Sequence, residues 1–451
     1  MSPLAFGTDG VRGLANAELT PELALALGRA VARVLPSREL LVGRDTRRSS
    51  AMLSAAFAAG AASEGVDVVD LGVLPTPGVA ALCARRRLPG AVISASHNPF
   101  EDNGIKVLAT GGVKLDAPTE AAVEDVLEAL MADPEHGPRP VGAAVGIVRV
   151  DPDAVDAYVA SLLKAAGATS LSGLHVVVDC ANGAACGIAP RVLRDLGATV
   201  TALGDDPDGS NINDHVGSTS PRAVADAVLA AGADLGISLD GDGDRCIAVD
   251  ASGSILDGDW MLALFATDRR AEGTLVGGVV VTVMSNLGFH RAMRAAGIPV
   301  EEVPVGDRNV VEALSRTGWE LGGEQSGHLV FADRSTTGDG LLTGVLLSQL
   351  VARRGPLHSL CDGLLEPVPQ LLVNVTVADA ASLDGAAEVW ASVAEHQAAL
   401  GDSGRILLRA SGTEPLIRIM VEAQDDTEAH RVAEDLRSVV VGSLGVPGAP
   451  G

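Results

Sequence analysis

Short apolar, β-branched runs alternate with alanine-rich amphipathic stretches through most of the chain, which is the pattern of βαβ units in an α/β fold. Residues 40–43, 66–71 and 91–94 read as strands, with helices at 49–64 and 77–86 between them. Farther along, strands at 175–179 and 278–283 each run through a small polar turn into a helix, and a strand at 235–239 delivers an acidic loop. The repeated logic predicts three related α/β domains rather than one large sheet. After Pro367-Val368-Pro369 the pattern becomes strand 371–377, helix 386–400, strands 405–408 and 416–422, and helix 429–440, a smaller α+β domain. With the polar, proline-containing stretch 132–140 as the first break, domains are expected over 1–145, 146–252, 253–366 and 367–445.

Composition narrows the function. The chain has 451 residues, 47% of them hydrophobic, so its domains can bury real cores and a disordered chain is excluded. With 58 acidic against 33 basic side chains, the net charge of -25 repels nucleic acid and anionic membrane surfaces, and Arg85–Arg87 is the densest basic run. The longest apolar stretches, such as 275–284, fall short of the ~20 residues a bilayer requires. The first residues lack a basic segment followed by an apolar one. A soluble cytoplasmic protein with no nucleic-acid or membrane partner is expected. Five cysteines, Cys83, Cys180, Cys186, Cys246 and Cys361, show no zinc-ligand spacing and should be reduced and mostly buried. Only Lys106, Lys114 and Lys164 are lysines, and none stands in the Gly-Lys-Ser/Thr of a P-loop.

The sharpest chemical signal is Asp240-Gly241-Asp242-Gly243-Asp244-Arg245. Three carboxylates at alternate positions repel one another unless a cation sits among them, and oxygen ligands favour a hard dication, Mg²⁺ first. An EF-hand fails, because Arg245 and Ala251 stand where glycine and glutamate are required. Ser96-His97-Asn98-Pro99 lies at a strand end. It lacks G-x-S-x-G, and an adjacent His97, expected to project away from Ser96, is a poor base for it. A serine can instead carry a phosphoryl group, which needs a cation and anion-binding donors more than a base.

Arg409-Ala410-Ser411-Gly412-Thr413-Glu414-Pro415, with Arg418, combines hydroxyls, a glycine and guanidiniums suited to a phosphate. Gly322-Gly323-Glu324-Gln325-Ser326-Gly327-His328 offers polar groups suited to sugar hydroxyls or an amine. Arg12, in Gly7–Gly13, and Lys106, in what reads as a glycine turn after the Ser96 loop, are cations beside glycines, and a desolvated amine can act as acid or base. Each motif alone also fits an ordinary turn or a solvated surface charge.

Together, in this order and at about this spacing across nearly all of the chain, the motifs resemble the α-D-phosphohexomutase superfamily. The form G-G-E-Q-S-G-H, with Val305-Gly306-Asp307-Arg308, Gly209–Asn213 and Gly217-Ser218-Thr219, looks most like its phosphoglucosamine mutase branch. Ser220, Cys186 and Asn309 depart from the branch's usual residues without touching a bond-making role.

The resemblance implies a heart-shaped, four-domain α/β architecture around a central cleft, with three related α/β domains, a smaller C-terminal α+β domain and a hinge before it. It implies that Ser96 is the phosphoserine and that one Mg²⁺ is held by Asp240, Asp242, Asp244 and the phosphate on Ser96. Arg245 would stay near the transfer site, Arg12 and His97 would support the phosphoserine, and Lys106 and His328 would move protons. Glu324 and Ser326 would contact the sugar, and Arg409, Ser411, Gly412, Thr413 and Arg418 the distal phosphate.

The implied substrate is a small phosphosugar. Glucosamine 6-phosphate and glucosamine 1-phosphate would interconvert through glucosamine 1,6-bisphosphate, also an activator, feeding UDP-N-acetylglucosamine and cell-wall precursors. The same chemistry on glucose or mannose phosphates is the nearest alternative. A metal-dependent phosphatase would have no use for the Arg409 loop, and a non-catalytic sensor none for the metal ligands and Ser96. The sequence leaves the oligomeric state open, with a homodimer as the candidate.

Overall fold

The computed structural model of the chain describes residues 10–167, 169–411 and 415–445. Among them the first sheet has six strands, ordered Val11–Leu14, Asp102–Leu108, Gly90–Ile93, Glu39–Arg44, Asp67–Val73 and Val148–Val150. Val148–Val150, just past residue 145, pairs in parallel with Asp67–Val73 at the sheet edge. A five-stranded sheet follows, ordered Ile255–Leu256, Cys246–Asp250, Leu235–Leu239, His175–Asp179 and Thr199–Leu203. The third has four strands, Val300–Val303, Val279–Thr282, Leu321–Gly323 and Leu329–Phe331. The last is a three-stranded antiparallel sheet of Gln370–Thr376, Leu416–Glu422 and Arg405–Ala410. The first three sheets are mixed rather than purely parallel, because in each a strand returns antiparallel directly after a functional loop.

One such return corrects the sequence reading of Lys106. Asn103 to Lys106 is not a glycine turn but part of the strand Asp102–Leu108, with Lys106 opposite Val92 and Gly104 opposite Arg12. Gly104 is there for close approach, since a Cβ would sit 2.6 Å from the Ser94 carbonyl oxygen and 3.0 Å from Arg12 Cγ. The helices Pro21–Val34 and Ser50–Ser63 also meet at small residues: a Cβ on Gly28 would lie 2.1 Å from the Phe57 carbonyl oxygen. Alanines on both faces of Ser50–Ser63 erase the amphipathic contrast while letting it pack closely.

The chain forms two compact units. One comprises residues 1–284 and 298–362 and carries the first three sheets; the other comprises 285–297 and 363–451. In the second unit the helix Leu287–Ala295 joins the C-terminal domain. The buried Glu422 carboxylate accepts Leu287 N at 3.0 Å and pairs with Arg405 Nε at 2.9 Å, while Asn286 bonds both N–H and C=O of Val368.

Candidate active site

The apolar strand Gly90–Ile93 carries the chain into the interior and ends at Ser94, Ala95 and Ser96, all buried. Ser96 has φ 53°, a left-handed conformation that costs an L-residue roughly 1–2 kcal/mol and needs outside support. That support converges on its backbone. Ser96 N donates to Ser94 Oγ at 3.0 Å, and its carbonyl accepts Arg47 Nη2 and Asn213 Nδ2, both at 2.9 Å. Arg47 also donates to the carbonyls of Asn98, Asp102 and Pro99, so one guanidinium holds the whole loop. Its charge is met by Asp45 at 2.9 Å in a fully buried pair, and Asp45 also accepts Ser50 and Ser94 hydroxyls. Removing one member of such a pair strands the other, so Arg47→Ala should cost about 3–5 kcal/mol in urea unfolding. A loss under about 1 kcal/mol would show that the loop does not depend on it.

With its backbone fixed, Ser96 aims its hydroxyl at Asp240 Oδ2, 2.5 Å away. Asp240, Asp242 and Asp244 follow the buried strand Leu235–Leu239, and their ligand oxygens lie within 4.8 Å of one another. The interleaved glycines are steric requirements. A Cβ on Gly241 would lie 2.6 Å from the Ser96 carbonyl oxygen, and Gly243 has φ 73°. Burial, Asp244 and Asp242 together push the Asp240 carboxyl well above the usual range. Burial also resists ionisation of the other two, but it is outweighed at Asp242 by Lys106 and the Thr76 hydrogen bond together, and at Asp244 by Lys106, His328 and Arg245 together, leaving Asp242 low and Asp244 well below normal. Asp242 Oδ1 and Asp244 Oδ1 are buried with no hydrogen-bond partner. Convergent carboxylates with buried, unsatisfied oxygens fit a hard divalent cation, and this chain's residues present that donor set.

Around the triad sit the cations expected from the sequence. Lys106 Nζ is 2.7 Å from Asp242 and 3.7 Å from Asp244. Arg245 is raised above its normal range: burial opposes its charge, but Asp244, Asp240 and Glu324 outweigh it. His328 Nδ1 lies 3.7 Å from Asp244; burial alone would lower it, but Asp244 and then Asp307 raise it to about 9. His97 differs from the expectation, because its ring turns back toward Ser96, with Nδ1 3.4 Å from Oγ. Burial, Arg245 and Arg12 hold it at about 4, so its imidazole is neutral near pH 7. A cavity of about 290 Å³ opens beside Lys106 and Asp244, with Gly10, Lys114, Asp307 and Arg308 in its wall.

Glu324 and Ser326 lie in the turn between Leu321–Gly323 and Leu329–Phe331. Cys246 N donates to the Gly327 carbonyl at 3.0 Å, tying this turn to the strand leaving the acidic loop. Glu324 Oε1 accepts Gly306 N at 3.0 Å, and Ser326 is exposed. In the second unit Arg409 and Arg418 occupy directly opposed positions on neighbouring strands, followed by Ser411. Opposed side chains in an antiparallel pair share a face, and two like charges there favour an anion. Gly7, Thr8, Asp9, Gly412 and Thr413 lie outside the described residues.

Three positioning residues escaped the sequence reading, Asp45, Arg47 and Thr76, and Asn213 entered it only within the Gly209–Asn213 motif, without a role. Thr76 donates Oγ1 to Asp242 Oδ2 at 2.6 Å and its N–H to the Asp242 carbonyl at 2.9 Å. The polar run Arg44-Asp45-Thr46-Arg47 at a strand end resembled the other functional turns and was the available signal.

The phosphoglucomutase/phosphomannomutase family matches this chain domain by domain. Its α/β/α domains I, II and III match residues 3–133, 156–253 and 257–368, and its C-terminal domain 372–439. A protein of Frankia alni named phosphoglucosamine mutase is 52% identical over 457 residues, covering 98% of this chain and 99% of that protein. The crystal structure of a phosphoglucomutase/phosphomannomutase family protein from Burkholderia thailandensis superposes with a TM-score of 0.83 at 26% identity, covering 100% of this chain and 99% of the other. A structure of Aspergillus fumigatus N-acetylphosphoglucosamine mutase in complex with GlcNAc-6P and magnesium shares the fold, with a TM-score of 0.68 at 20% identity over 97% of this chain and 96% of the other.

Proposed function

From the premise that the chain belongs to the phosphoglucomutase/phosphomannomutase family, in its phosphoglucosamine mutase branch, we propose that it interconverts glucosamine 6-phosphate and glucosamine 1-phosphate through phosphorylated Ser96. The observation carrying this reading is the buried Ser96 hydroxyl 2.5 Å from Asp240, in a triad with two unsatisfied carboxylate oxygens. Asp240, Asp242 and Asp244 would hold Mg²⁺, which when bound offsets phosphate charge.

In the forward direction the sugar's O1 attacks the phosphorus on Ser96. The new P–O1 bond forms as the P–Oγ bond breaks, giving glucosamine 1,6-bisphosphate and free Ser96. The bisphosphate turns over, and Ser96 Oγ takes the 6-phosphoryl group, releasing glucosamine 1-phosphate. The proton leaving O1 is returned to O6, so the cycle balances. Lys106 and His328 are the proposed proton carriers, because each lies 3.7 Å from an oxygen of Asp244, a member of the carboxylate triad that the Ser96 hydroxyl meets at Asp240. Arg245, Arg12 and neutral His97 orient the phosphoryl group near Ser96.

Glu324 and Ser326 would bind the sugar, and Arg409, Ser411, Gly412, Thr413 and Arg418 the phosphate not being transferred. Positioning and charge neutralisation supply most of the acceleration in such transfers. Among the described residues no helix is long and apolar enough to cross a membrane. Five unbridged cysteines suit a reducing, cytoplasmic setting. The substrate assignment is tested by kcat/KM for glucosamine, glucose and mannose phosphates. The glucosamine compounds should be preferred by at least about 10-fold, the scale of one hydrogen bond to a charged group; preference for a glucose phosphate overturns it.

A further inference from the structure

The turn that follows the strand His175–Asp179 holds two cysteines against each other. Its backbone folds back twice, with Gly183 N on the Cys180 carbonyl at 2.8 Å and Cys186 N on the Gly183 carbonyl at 3.2 Å. Ala181 and Asn182 have φ 54° and 49°. The fold brings Cys186 Sγ to 3.9 Å from the Cys180 carbonyl oxygen and 3.3 Å from that of Gly204. The neighbouring Cys186 thiol, with burial, pushes the Cys180 thiol well above its normal range. Cys186 is the one cysteine of the five that is not buried. A partly exposed cysteine beside a buried one is the arrangement in which an oxidised sulfur can be captured by its neighbour.

The same turn is built into the candidate active site. Ala184 N donates to the Gly241 carbonyl at 2.8 Å, and a Cβ on Gly183 would sit 2.3 Å from that oxygen. The Asn182 carbonyl accepts Thr46 Oγ1 at 2.5 Å, and the Ala181 carbonyl accepts the backbone N–H of Asn213, whose side chain holds Ser96. The segment from 181 to 184 therefore touches both the acidic loop and the supports of the Ser96 loop, with no slack at Gly183.

We propose that Cys180 and Cys186 are a peroxide-sensitive modification site whose reversible disulfide withdraws this turn from Gly241 and lowers activity. The Cys186 thiolate attacks hydrogen peroxide, forming an S–O bond as the O–O bond breaks and releasing water. Cys180 then attacks the sulfenic sulfur; the S–S bond forms, the S–O bond breaks and a second water leaves. Two thiols are oxidised and one peroxide is reduced to two waters. A disulfide holds its two sulfurs about 2.05 Å apart, closer than unbonded thiols can approach, so closing it draws the two ends of the turn together and shifts the backbone between them. The bond forms independently of the assigned reaction, and only its effect on activity rests on the mutase reading.

The test treats the folded, reduced full-length chain with hydrogen peroxide and follows intact mass, peptide maps and mutase rate. The expected result is a loss of about 2 Da, a Cys180–Cys186 cross-linked peptide, and a several-fold drop in rate that dithiothreitol reverses. Cys186→Ser and Cys186→Ala should be active when reduced and keep their rate after peroxide. The site is overturned by a gain of about 32 Da, the sulfinic acid, without the cross-link, or by two persistent free thiols. A cross-link at full activity overturns the control of the acidic loop, as does a Cys186 variant inactivated like the parent.

Discussion

Ser96→Ala lowers the mutase rate by roughly 10⁴-fold or more, the scale seen when a nucleophile is deleted from a working site, while the melting temperature moves by no more than about 3 °C. The second half follows from how the loop is held. Ser94 Oγ accepts the N–H of Ser96, and Arg47 and Asn213 bind its carbonyl, so none of the three contacts uses the hydroxyl. The left-handed backbone is already imposed on a residue with a Cβ, and alanine adds little strain. Thr76 also presents a hydroxyl to the triad, but it bonds Asp242 Oδ2, the oxygen that Lys106 also contacts, and serves as an anchor. A Ser96→Ala protein with full activity would place the transferred group elsewhere.

Asp244→Asn has the next largest effect. Its Oδ2 lies 3.7 Å from both Lys106 Nζ and His328 Nδ1, and its Oδ1 is buried without a hydrogen-bond partner. One residue thus belongs to the proposed metal set and lies beside both proposed proton carriers. Losing its charge should lower kcat/KM on the order of 10²–10³-fold, as for deletion of one preorganised electrostatic contact. It should also abolish the Mg²⁺ dependence of thermal stability. In the parent, Mg²⁺ at 100 times its Kd should add about 2.7 kcal/mol and a chelator should remove it. An Asp244→Asn protein that keeps the parent's Mg²⁺-dependent shift in melting temperature would exclude Asp244 as a ligand.

The sequence made the chemical groups visible and left their supports hidden. Asp240, Asp242 and Asp244 could be read because mutual repulsion at alternate positions is a local fact, whereas the close approach at Gly241 and the positive φ at Gly243 show only in the structure. The partners that tune them are remote: Lys106 and Thr76 reach Asp242 across 136 and 166 residues, and Ser96 reaches Asp240 across 144. Periodicity carries no information about such pairs. It also misread Lys106, where a strand interrupted by a glycine for packing looks like a turn. His97 was expected to point away from Ser96, as neighbours on an extended strand do, but the left-handed turn at Ser96 swings the two side chains together. Strand positions were more legible, since Val176, Val177 and Val178 or Val279, Val280 and Val281 are buried runs that suit little else.

The central claim is that Ser96 carries the phosphoryl group between sugar positions, and intact-mass spectrometry of the purified chain tests it most directly. Incubation with glucosamine 1,6-bisphosphate should add about 80 Da, one phosphoryl group, at Ser96. Excess glucosamine 6-phosphate should then remove that mass while the bisphosphate reappears in solution. No mass gain, a phosphoryl group on another residue, or its loss only as inorganic phosphate would contradict the account.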